Sequence, residues 1–146
     1  MLKSAGLSSL SEEKILVRID MMRKEKAFSP DVMTLNKFDL YQDILVNPVS
    51  IILSQKLITV LERKREKGRD LYDISFLYGR TRPDFTYIEM VYGLNREDFV
   101  TKFLVRCAEL DFNALARDVE PFLIDPKQVR RITQFLPFIQ GELGKP

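Results

Sequence analysis

The chain contains no histidine, no tryptophan and a single cysteine. Without histidine the commonest general base and the commonest metal ligand are missing, so any chemistry must run on carboxylates, lysine or tyrosine. One cysteine excludes an intrachain disulfide framework. Cys107 shares a helical stripe with Phe99, Val100, Phe103 and Leu104, which reads as a buried packing thiol with no assigned chemistry. Long apolar runs are missing as well. Charges interrupt every hydrophobic stretch before the roughly 20 residues of a membrane span, and Met1-Leu2-Lys3-Ser4 does not open a signal-peptide core. A cytoplasmic protein with no membrane partner is expected. Internal repeats and low-complexity segments are absent from the sequence too.

What is present bounds the architecture. At 146 residues and 45% hydrophobic content, the chain can build one domain with a real core and is too short for two full ones. A net charge of +2 does not by itself imply a nucleic-acid partner. Its distribution is more telling, because Arg63, Lys64, Arg65, Lys67 and Arg69 crowd together with Glu66 as the one acid among them. Two readings stay open for that cluster: a solvated helix end complementing the helix dipole, or a polyanion contact.

Along the chain, Ile15–Met21 alternates, with Arg18 and Asp20 on one face and Val17, Ile19 and Met21 on the other, and is expected to be a strand. Val32–Phe38 and Tyr41–Val46 are weaker strand candidates on either side of a turn. Asn47-Pro48 then stops extended structure and opens a helix from about Pro48 to Arg65, expected to bury Val49, Ile52, Leu53, Leu57, Val60 and Leu61. Gly68 is expected to end it, and Asp70 to begin a second helix through Tyr78. Asp84 caps a third through Tyr92, Asn95 a fourth and Asp111 a fifth, while Asp125-Pro126 opens a sixth. The fold class is therefore α+β: a small N-terminal sheet remnant in residues 1–47 followed by a bundle of five or six short helices in 48–146. One or two strands are not stable alone, so something else must complete that sheet.

The most informative residues are charges set among apolar neighbours. Lys56 and Arg63 are seven apart and share one helix face, roughly 10 Å apart along the axis, and Asp70 and Asp73 share a face of the next helix. Charges seldom enter an apolar stripe unpaired. Lys56, flanked by Ile52, Leu53 and Val60, either snorkels or pairs with a carboxylate, for which Asp73 is the candidate. Asp70 with Asp73 also imitates a helix-capping pair. The aromatic series Tyr72, Phe76 and Tyr78 has core spacing and is expected to pack inward rather than to stack on bases.

Lys56-Leu57-Ile58-Thr59-Val60-Leu61-Glu62-Arg63, followed by Arg69-Asp70-Leu71-Tyr72-Asp73, resembles the helical signature of the AbiEii/AbiGii-type nucleotidyltransferase toxin family. That family, associated with abortive infection and toxin-antitoxin pairs, joins a DNA-polymerase-β-like catalytic half to a C-terminal helical half. Val17-Arg18-Ile19-Asp20 resembles its late core strand, and Asp118-Val119-Glu120-Pro121-Phe122-Leu123 its tail. The resemblance implies nucleotidyl transfer from an NTP to RNA such as tRNA, with Mg2+ as cofactor. It would make Asp20 the third metal-binding carboxylate and Lys56 and Arg63 clamps on the triphosphate. Asp70 and Asp73 would hold those cations or help deprotonate the acceptor hydroxyl, and Arg69 would contact phosphate or pair with Asp73. The implied protein partners are an antitoxin, the missing catalytic half or a second copy of the chain.

The departures are as informative. The family's small-residue turn followed by two carboxylates one residue apart does not occur upstream of Ile15. Adjacent Glu12 and Glu13 would point to opposite faces of a strand and could not share a metal. Asp20, lacking those partners, could equally pair with Arg18 or Arg23. The expectation is thus the C-terminal portion of such an enzyme, natural or excised, inactive as this chain alone. The alternative is a helical protein-interaction module docking through an exposed strand or sheet face, and a third reading is a small RNA-binding domain using the 63–69 cluster.

Overall fold

The computed structural model describes residues 28–145, a two-stranded antiparallel sheet followed by helices. The expected strand at 15–21, and Asp20 with it, lies outside the described residues. Strands β1 (Asp31–Lys37) and β2 (Leu40–Val46) pair in a register that sets Asp31 opposite Val46 and Lys37 opposite Leu40. The two-residue loop between them places Phe38 at φ 53, a left-handed conformation that a bulky residue seldom takes. Thr34 Oγ1 donates to Asp43 Oδ1 across the strands at 2.6 Å. No residue of either strand is buried.

Seven α-helices follow: α1 (Val49–Glu62), α2 (Gly68–Leu77), α3 (Phe85–Tyr92), α4 (Arg96–Ala108), α5 (Phe112–Val119), α6 (Arg130–Thr133) and α7 (Phe135–Leu143). The expected stop signals operate. Asp84, Asn95 and Asp111 side chains accept backbone N–H groups at the starts of α3, α4 and α5, satisfying donors that helix geometry leaves unpaired. Gly93, at φ 76, closes α3 in the left-handed cap that glycine takes without strain. Asp125 also caps as expected, but Pro126–Val129 forms a 3-10 turn, and the single expected sixth helix is divided into α6 and α7.

The boundaries of α1 and α2 differ from expectation in a way that matters. The first helix ends at Glu62, so the cations of 63–67 occupy a linker and its last turn contains no basic residue. Gly68 opens α2 instead of ending α1. An added Cβ there would lie 2.1 Å from the Leu115 carbonyl oxygen and 2.6 Å from Val119 Cγ2, so the glycine lets α2 press directly on α5. The inward face of α1 is also rotated: Ile51, Leu53, Ser54, Leu57, Ile58 and Val60 are buried, while Val49 is exposed. Three consecutive aliphatics at 51–53 leave the periodicity unable to choose between faces. Buried Ser54 settles the docking, because its Oγ accepts from Asp84 N at 2.8 Å and donates to Ser50 O at 2.9 Å.

The core lies among the helices. Phe99 is fully buried, with Phe103 stacked at 6.1 Å and Phe85 and Tyr92 edge-on at 6.4 and 5.8 Å. Each such burial contributes about 1.5–3 kcal/mol. Cys107 is buried as expected, and burial pushes its thiol up to about 12, which removes it as a nucleophile. No described helix is long and apolar enough to cross a membrane.

Candidate functional site

Four of the six singled-out residues come together where α1 and α2 pack. Lys56 projects from α1, Arg63 follows its last turn in extended conformation, and Asp70 and Asp73 lie one turn apart on α2. Lys56 Nζ stands 2.7 Å from Asp73 Oδ2 and 3.2 Å from Asp70 Oδ1, and Arg63 Nε 3.2 Å from Asp70 Oδ2. Asp70 is the pivot. Its side chain is 4% exposed, against 29% for Lys56, 33% for Arg63 and 42% for Asp73.

The arrangement overturns the capping explanation for the two aspartates. No side chain caps the start of α2, and Asp70 is the third residue of that helix, turned toward α1. The expected Lys56–Asp73 pair is present, and Asp70 joins it. Burial lowers the Lys56 pKa, but hydrogen bonds from the ammonium to Asp73 and Asp70 outweigh that penalty, so the pKa lies above its ordinary 10.5. Asp70 Oδ2 has no hydrogen-bond partner among the described residues. Its 3.2 Å approach to Arg63 Nε is an ionic contact without hydrogen-bond alignment.

Two cations and two carboxylates give the cluster zero net charge, and that decides what it can hold unaided. Mg2+ requires carboxylates free of competing cations, whereas both here are paired. Among the described residues no group of three acidic or cysteine side chains could hold a metal ion. The described residues therefore do not suit Mg2+ by themselves. An anion fares better, because Lys56 and Arg63 remain partly exposed and could exchange a carboxylate for a phosphate oxygen.

Arg69 stands apart. It is exposed and lines a separate groove with Lys67, Asp118, Val119 and Phe122, because one residue along a helix is about 100° around it. Within the 63–69 cluster, Glu66 turns to Arg106 on α4 at 2.5 Å. The aromatic series divides as well: Tyr78 is buried, Tyr72 half-buried, and Phe76 is 39% exposed with the Arg80 guanidinium 4.4 Å from its ring centre. The signal for this was in the sequence, since Arg80 follows Phe76 by one helical turn. No family model, curated protein or solved structure matches this chain.

Proposed function

We propose that this chain supplies the phosphate-handling helices of a nucleotidyltransferase of the AbiEii/AbiGii type, with the metal-binding carboxylate pair contributed by polypeptide outside residues 1–146. What supports the reading is the convergence of Lys56 and Arg63 on Asp70 and Asp73, four charges that the sequence resemblance grouped around a triphosphate. In this reading the cluster is a resting lock. An NTP phosphate takes Lys56 and Arg63, and Asp73, the more exposed carboxylate, is released toward the acceptor hydroxyl. Transfer then forms a bond between the acceptor oxygen and the α-phosphorus, expels pyrophosphate and leaves the hydroxyl proton on a carboxylate. Asp20, outside the described residues, is the proposed third ligand for Mg2+, and RNA the proposed acceptor.

A transfer assay with labelled NTPs, Mg2+ and total RNA tests the division of labour. The expected result is no incorporation by this chain alone, while calorimetry detects NTP binding that Lys56→Ala abolishes. Robust incorporation by the isolated chain would refute the proposed division. Absence of binding by all four NTPs would remove the nucleotide reading itself.

A second reading rests on a different observation. Val32, Met33, Phe38, Leu40, Tyr41 and Leu45 of the hairpin are all exposed large hydrophobics, which suits a helical interaction module that docks through its sheet. Sedimentation as a clean monomer, with no hydrophobic-dye binding, would count against it.

A further inference from the structure

Phe76 faces outward from α2, one turn beyond Asp73, and two guanidiniums attend it. Arg80 lies 4.4 Å from its ring centre, and Arg131 lies 5.8 Å from the centres of both Phe76 and Tyr72. Arg131 is fixed there: its Nε donates to Gln128 Oε1 at 2.5 Å and its Nη1 to the Ser75 carbonyl at 3.2 Å. Beside this aromatic ledge runs an open groove of about 440 Å³ lined by Ser75, Gly79, Arg130, Arg131, Gln134 and Phe138. Among the described residues, no carboxylate lies within ion-pair distance of Arg80, Arg130 or Arg131. Glu142, an acid in the groove wall, is engaged by Arg82 and Lys145.

We propose that Phe76, Arg80 and Arg131 form a stacking ledge for a single-stranded nucleic acid whose backbone follows the groove past Arg130. The three arginines, unpaired with carboxylates among the described residues, supply positive charge for phosphates, and a base of any identity stacks on the outer face of the Arg80 guanidinium or takes its place over the ring. Duplexes are excluded by the same geometry, because their bases are already stacked on one another. The ledge is separate from the cluster of Lys56 and Asp70 and is independent of any nucleotide bound there.

Fluorescence anisotropy with a labelled oligouridylate, the corresponding single-stranded DNA and a duplex of equal length tests the proposal. Both single strands should bind more tightly than the duplex, with affinity falling as salt rises. Phe76→Ala should weaken single-strand binding about tenfold, Phe76→Trp should retain it, and Arg80→Gln should reduce the salt slope by about one. Phe76 is 39% exposed, so Phe76→Ala should lower the melting temperature only slightly, and affinities are compared well below the melting transition of every variant. NTP binding by the parent chain, read separately by calorimetry, distinguishes failure of the ledge from failure of the nucleotide site. Equal affinity of Phe76→Ala and parent, equal binding of duplex and single strand, or no binding to any of the three would overturn it.

Discussion

The helical bundle and the β-hairpin solve the problem of mismatched neighbours in opposite ways. In the bundle, charges intrude on an apolar setting and are answered internally: buried Asp70 meets Lys56 and Arg63. In the hairpin, apolar side chains intrude on solvent and are not answered among the described residues, with Tyr41 at 78% and Leu45 at 72% exposure. The contact between α1 and α2 is thus closed on itself. Among the described residues, the hairpin's pairing edges and apolar side chains face outward. A change at that contact should therefore cost stability, and a change in the hairpin should cost association.

The largest effect is expected at Gly68. A Cβ there meets backbone of α5, which cannot rotate away, so Gly68→Ala must separate α2 from α5 and should lower stability by about 3 kcal/mol. Chemical denaturation reads this directly. An unchanged midpoint would show that the two helices are not in the close contact described. Because α2 presents Asp70 to Lys56, the same substitution should weaken the charged cluster.

Within the cluster, burial ranks the two carboxylates. Asp70→Ala removes the partner shared by both cations and should destabilise by about 2 kcal/mol, less than a fully buried pair because Lys56 and Arg63 keep some solvent. Asp73→Ala removes a 42% exposed group and should cost under about 1 kcal/mol. Equal losses would break the comparison. The pH dependence has a fixed sign. A lysine with a raised folded pKa contributes stability that is fully present below 10.5, its ordinary value, and lost as pH rises through the folded value. The stability margin of the parent over Lys56→Met should therefore stay level through neutral pH and shrink above 10.5; a margin that widens there would contradict the Lys56 contacts.

Much of this was legible in the sequence where one residue settles a local question. Asp84, Asn95 and Asp111 cap as their positions indicate, and the spacing of Lys56, Arg63, Asp70 and Asp73 brought out a set that the fold does assemble. What was not legible depended on partners distant along the chain. Gly68 looked like a helix stop because only α5, some 45 residues later, reveals why a side chain cannot stand there. Asp70 looked like a cap because helix starts and buried ion pairs favour the same residue. Arg69 looked like part of the site because adjacency in sequence conceals the rotation that carries it to another groove. Phe76 is the exception: it looked like core from its aromatic spacing, although Arg80 one turn on was a local signal of the outward face.

The smallest expected change in stability is in the hairpin, and it is the one that most sharpens the contrast. Tyr41→Ser and Leu45→Ser remove side chains that are largely in water already, so each should shift unfolding by no more than about 0.5 kcal/mol. Tyr41 and Leu45 also lie on one face of β2, either side of Asp43 and opposite Asn36 and Val32, so the apolar strip they form is interrupted where Asp43 accepts from Thr34. If that strip is a docking surface, the double substitution should lower hydrophobic-dye binding and any self-association seen by sedimentation while leaving the melting curve in place. A large loss of stability instead would mean that the strip is already packed against the protein itself, and the difference between a self-contained helical contact and an outward-facing hairpin would disappear.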